Sequence, residues 1–204
     1  MFVLCFGLVQ NLTLGFILTN VMLPKFYRTK SEFKTIHSLL KQKSCPHCQK
    51  RGTLILHGYL CGYDLRRPGH RVLRGHRIFC SNRDCKQGCG KTFSILRSIV
   101  LKGFIIQSSH LWIFLRNISR LKNKRQAFTL LSGFLSSTTI YRLYRRVFAQ
   151  KSVIKRRLIR YDPFNSDKNT QNTLIEMILL IKAVFKSNRN PVSAFQVTFQ
   201  TSFL

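Results

Sequence analysis

The chain has 204 residues, with 35 Lys and Arg against 6 Asp and Glu, for a formal net charge of +29. Such an excess opposes compaction through self-repulsion, and a polyanionic partner is the usual reason to keep it. A hydrophobic content of 45% argues against a disordered polycation. The acids are Glu32, Asp64, Asp84, Asp162, Asp167 and Glu176, with none between Cys85 and Tyr161. Two-metal phosphoryl transfer needs several converging carboxylates. Acids scattered this way argue against a self-sufficient nuclease or integrase, and no catalytic residue is assigned.

Residues 1–23 form an apolar segment without charge from Phe2 to Leu23. It has three readings: a mis-assigned start ahead of Met22, a membrane helix of sufficient length, and an ordinary buried helix. Residues 24–44 form an approach segment, where Phe33, Ile36, Leu39 and Leu40 recur at helical spacing. Residues 45–93 form a cysteine-bearing finger. Its strand-like runs are Thr53–Leu60 and Arg77–Phe79, with Gly62, Pro68 and Gly69 punctuating the middle. Residues 94–160 read as wholly helical. Residues 161–204 comprise a turn-rich linker, a helix over 172–186 with Leu174, Ile178, Ile181 and Phe185 on one stripe, a break at Asn188–Pro191 and a short apolar tail. The predicted fold class is α+β: a small zinc-ribbon β-hairpin module, then an all-α helix-turn-helix region and C-terminal helices.

Within the finger, Cys45-Pro46-His47-Cys48 is one standard half of a tetrahedral zinc site. The second half is irregular, because Cys80, Cys85 and Cys89 compete for two places. Gly90 lets the chain turn behind Cys89, and Cys80 follows the returning strand. The expected ligands of Zn2+ are therefore Cys45, Cys48, Cys80 and Cys89, with Cys85 as the alternate to either of the last two. The 31 residues between Cys48 and Cys80 exceed the usual ribbon interval of about 15–20, so the hairpin is long or carries an inserted loop. Arg66, Arg67, Arg71, Arg74 and Arg77, with His70 and His76 among them, suit phosphate contact along this insert. A solvated arginine face is the plainer reading of the same run.

Lys124–Leu131 reads as one helix, Ser132–Leu135 as a turn and Ser136–Phe148 as a second helix, with Ser136 as its N-cap. Ile140, Leu143 and Val147 form an inward stripe with Tyr144 beside it. Ser137, Thr138 and Thr139 are expected on the exposed first turn, and Tyr141, Arg142, Arg145 and Arg146 follow. Small polar residues and arginines on such a helix suit a DNA major groove, and the 124–148 hairpin is a helix-turn-helix candidate. The alternative is an ordinary basic helical hairpin.

The combination of a cysteine knuckle, a hairpin ending Arg77-Ile78-Phe79-Cys80, a Cys89-Gly90-Lys91-Thr92-Phe93 closure and a helix-turn-helix ending Thr139-Ile140-Tyr141-Arg142, with Ser136–Arg146 matching the recognition helix, resembles the N-terminal DNA-binding region of zinc-ribbon insertion-sequence transposases. The resemblance spans roughly residues 45–148. It implies binding of double-stranded DNA, a separately encoded catalytic transposase subunit as a partner, and a homodimer as an option. The usual acidic catalytic domain has no counterpart here, and both the ribbon insert and the Ala127–Ile140 interval are long. The expected protein is a non-enzymatic, zinc-dependent DNA binder of the cytoplasm, associated with the nucleoid. Two rivals remain. One is a zinc-ribbon RNA-binding or ribosome-associated protein, in which Trp112, Phe114 and the tyrosines stack on bases unless helical spacing sends them to a core. The other is a membrane-anchored protein lying on anionic lipid.

Overall fold

The first helix begins where Thr29 stops the chain, its hydroxyl accepting the Glu32 N–H at 3.1 Å. In this computed structural model residues 23–63, 69–83, 85–121, 123–132, 135–163 and 173–204 are described. Residues 2–22 of the apolar segment, and Arg66 and Arg67, lie outside the described residues. Among the described residues no helix is long and apolar enough to cross a membrane.

The architecture is mixed α+β, with a four-stranded sheet and six α-helices among the described residues. The elements are β1 (Phe26–Tyr27), α1 (Lys30–Ser38), β2 (Leu54–Tyr63), β3 (Arg71–Cys80), β4 (Thr92–Arg97), α2 (Ser108–Leu121), α3 (Lys124–Ser132), α4 (Ser137–Tyr161), α5 (Thr173–Val184) and α6 (Pro191–Phe199). The chain divides into two compact units. One holds the described residues of 23–61 and 73–97, and the other those of 62–72 and 98–204.

In the first unit the sheet order is β1-β4-β3-β2. β4 pairs antiparallel with β3, Ile78 opposite Phe93 and His76 opposite Ile95, and β1 runs parallel to β4. Tyr27, Phe33, Ile36, Leu40, Leu54, Ile78 and Ile95 form the core with Cys45 and Cys80. The long cysteine interval is taken up by two ten-residue strands, β2 and β3. The expectation of helix from residue 94 is corrected: Thr92–Arg97 is a strand. Six residues rich in alternating and β-branched side chains are too few to propagate a helix once an open strand edge is available.

His76 is the unusual member of this unit. Its ring stacks on Phe33 with centroids 3.4 Å apart and planes 5° from parallel. Burial raises the Tyr27 phenol to about 12, which keeps its proton in place for the 3.1 Å hydrogen bond to His76 Nδ1. Burial, with His37 nearby, lowers the His76 pKa from 6.5.

In the second unit, α2 to α6 bury Leu111, Phe114, Leu115, Leu143, Val147, Met177, Ile181 and Phe195 in one core. Trp112 is 9% and Phe114 0% exposed, so neither is offered for base stacking. The second predicted hairpin helix runs on to Tyr161, well past Phe148. The predicted apolar tail is a helix, α6, begun by Asn190 as N-cap and Pro191 in the first turn. Its Gln196 is fully buried. The amide donates to Ser98 O at 2.7 Å and Val100 O at 3.0 Å and accepts from Phe203 N–H at 3.1 Å.

Gln196→Leu strands three buried backbone groups and is expected to cost about 1–3 kcal/mol in denaturant unfolding. Ser152→Ala, at an exposed helix position, should stay within about 0.5 kcal/mol. His76 is held neutral in the fold, so its contribution is full above about pH 6.5 and is lost as pH falls below that value. The component of acid destabilisation below pH 6.5 that His76→Phe removes measures it.

Candidate metal centre

Two tight turns carry the four cysteines. In the first, Cys45 N–H donates to Lys50 O at 3.0 Å and Gln49 N–H to Cys45 O at 2.9 Å. Gln49 takes φ +60, and the His47 N–H points at Cys45 Sγ from 3.4 Å. In the second, Gly90 N–H donates to Cys80 O at 3.0 Å, Cys80 N–H to Lys91 O at 3.0 Å, and Cys89 N–H reaches Cys80 Sγ at 3.3 Å. Both turns fold the chain back so that two sulfurs face inward and backbone N–H groups point at sulfur.

The four Sγ atoms of Cys45, Cys48, Cys80 and Cys89 lie within 4.8 Å of one another. Cys45–Cys89 is 3.8 Å and Cys48–Cys80 3.6 Å. A disulfide needs about 2.05 Å, so these are four free thiols. A tetrahedron of sulfurs about 2.3 Å from a central ion has edges of about 3.8 Å. The donor set and its spacing therefore fit a metal ion, and these residues could hold one. Thr53 Oγ1 sits 3.2 Å from Cys80 Sγ, adding a hydrogen bond from outside the four.

Burial pushes the Cys45 thiol up to about 11. The Lys50 backbone N–H, with smaller help from the other cysteines, brings Cys48 down to about 7. A cation among them would favour the thiolate at all four. His47 is exposed and outside the sulfur cluster.

Cys85 stands apart, exposed and at φ +62. The chain leaves Cys80, loops outward through Cys85 and returns where Gly88 N–H donates to Ser81 O at 2.9 Å. A Cβ on Gly88 would stand 2.1 Å from that oxygen, so the return requires glycine. Spacing alone did not reveal the parts of Gly88, Thr53 and the Lys50 N–H, all of which depend on the fold.

The predicted nucleic-acid residues divide as follows. Arg71 and Arg77 are exposed on β3, and Arg74 is half-buried with its pKa lowered by burial. Ser136 caps α4, its hydroxyl accepting Thr139 N–H at 3.3 Å. Thr139, expected on the exposed turn, is half-buried, with its hydroxyl 2.9 Å from Ser136 Oγ. Ser137, Thr138, Tyr141, Arg142, Arg145 and Arg146 are exposed. Arg145 lies over the Tyr141 ring at 5.9 Å. Ile140, Leu143 and Val147 are buried as the stripe predicted, with Tyr144 half-buried beside them. No protein-family model, curated protein or solved structure matches this chain.

Cobalt(II) added to the reduced protein is expected to produce the intense sulfur-to-metal absorption of thiolate coordination, saturating at one ion per chain. Cys45→Ser or Cys48→Ser should weaken or abolish it. Cys85→Ser should leave it intact, and loss of the band in that variant would move Cys85 into the ligand set. Acid should release the ion, since protons compete for the same sulfurs.

Proposed function

We propose that this protein is a zinc-dependent, sequence-preferring DNA-binding protein of transposase-like origin, in which a zinc ribbon and a helix-turn-helix act on duplex DNA. The observation that carries the reading is α4. Its 25 residues hold eight Lys or Arg and no Asp or Glu, while one side of it is buried in the core. A folded helix with a carboxylate-free basic surface suits a polyanion better than it suits solvent alone. α3 precedes it as the supporting helix, with Phe128 edge-on to Tyr144 at 6.1 Å and stacked on Phe114 at 5.2 Å. Ser137, Thr138, Tyr141 and Arg145 lie on the exposed N-terminal half, where a recognition helix meets base edges.

Zinc is the proposed ion because four thiolates in a closed tetrahedron are a structural zinc set. The proposed partners are double-stranded DNA and a separately encoded catalytic subunit.

Elemental analysis of the purified protein should find close to one zinc per chain. Affinity for duplex should fall steeply with salt as counterions are released. Any polycation would do that, so sequence preference is the deciding measurement. Arg145→Ala should cost about 1–3 kcal/mol at a selected site and relax preference there, whereas Arg156→Ala should weaken all duplexes about equally. Equal behaviour of the two variants, or tighter binding to single-stranded RNA than to any duplex, would defeat the recognition-helix reading and favour an RNA-binding protein.

A further inference from the structure

Two cations of the second unit share one aromatic ring. Arg142 and Arg146 stand about one turn apart on α4, and their guanidinium carbons lie 5.9 and 4.9 Å from the ring centroid of Phe104. Phe104 is only 5% exposed, fixed in the core behind a turn closed by its N–H to Leu101 O at 3.1 Å. Gly103, at φ +79, completes the seat: a Cβ there would lie 3.3 Å from Arg146 Nη1. One guanidinium thus rests against bare backbone. Lys102, exposed, adds a third positive charge to the same turn.

Nothing anionic balances this cluster among the described residues of the unit. Glu176 is engaged by Lys155 at 2.6 Å. Asp162 caps the far end of α4, about 24 Å along the helix axis from Arg146. That exceeds the screening distance of about 8 Å at physiological salt. A ring holds a guanidinium by its flat face and leaves the in-plane N–H donors open. Two such forks, repelling one another and held by a ring in place of a carboxylate, match a phosphate in charge and geometry.

We propose that Arg142 and Arg146, seated on Phe104 and Gly103, clamp a backbone phosphodiester of nucleic acid. The clamp rests on the DNA-binding reading and refines it. These two arginines position the helix on the backbone, which leaves Ser137, Thr138, Tyr141 and Arg145 to face the bases.

Two measurements on the full chain test it. In the first, inorganic phosphate is titrated into ¹⁵N-labelled protein while the arginine Nε–H signals are followed. Arg142 and Arg146 should shift at lower phosphate than the exposed Arg160 and Arg189. Uniform shifts across all arginines would overturn the clamp. Phe104→Leu keeps every charge and should abolish the early shift, and Phe104→Tyr should restore it. Gly103→Ala, a change at the surface, should weaken the Arg146 response, so the test survives a Phe104→Leu chain that does not fold. In the second, Arg142→Gln and Arg146→Gln combined should reduce the slope of log affinity against log salt by about 0.9, the contribution of the one shared phosphate. They should do so equally for a selected and a random duplex, leaving the preference ratio unchanged. An unchanged slope, or a collapsed preference, would overturn the assignment. A selective phosphate response without any duplex binding would sink the DNA reading and leave an anion clamp. Duplex binding with uniform phosphate shifts would sink the clamp alone.

Discussion

Four sulfur atoms from opposite ends of a long hairpin meet within 4.8 Å, and the first unit depends on that meeting. Its core is small: Cys45 and Cys80 are themselves core residues beside Tyr27, Phe33, Ile36, Leu54, Ile78 and Ile95. A core of that size supplies little net stability, and small modules commonly add a metal or a disulfide. The 3.6 and 3.8 Å separations exclude a disulfide and suit a central cation. The backbone N–H groups of His47, Cys89 and Lys50 are directed at sulfur. At Cys48 the Lys50 N–H lowers the thiol to about 7, whereas burial holds Cys45 up at about 11.

The second unit solves its stability problem with apolar burial. Helices α2 to α6 enclose an aliphatic and aromatic core that needs no cross-link. Charge is then free to collect outside it. Lys155 pairs with Glu176, and α4 itself holds eight Lys or Arg and no carboxylate, so most of its cations are not neutralised by acids. Several are instead laid over rings: Arg142 and Arg146 over Phe104, Arg145 over Tyr141, and Lys151 over Phe148 at 3.5 Å. Aromatic seating orders a long cationic side chain while keeping its charge, so less conformational freedom is left to lose if the proposed polyanion binds there.

Gln196 shows how the same unit handles polar backbone. Residues 98–101 leave the sheet before helix begins: Ile99 O and Leu101 O accept from the Ser108 and Phe104 N–H groups, which leaves the Ser98 and Val100 carbonyls to a side chain. One buried amide from α6 satisfies both and takes the Phe203 N–H with its oxygen. The residues involved are nearly a hundred positions apart, and no local pattern marks a lone glutamine in an apolar stretch for that task.

What the sequence determined by itself was local. The Cys45–Cys48 knuckle, the Ser136 cap, the α4 stripe of Ile140, Leu143 and Val147, and the carboxylate-free charge run all follow from spacings of two to four residues, the range over which turns and helices are specified. The tertiary structure decided whatever depended on distant partners. Cys89 joins the cluster and Cys85 does not, because Gly88 must close on Ser81. Residues 92–97 form a strand because β3 offers them an edge, and the C-terminal tail is a helix in a core that receives it. Arg142 and Arg146 meet Phe104 because a turn some forty residues earlier packs beneath α4. Spacing along the chain carries no record of such encounters, since burial and edge pairing exist only once the remote segment has arrived.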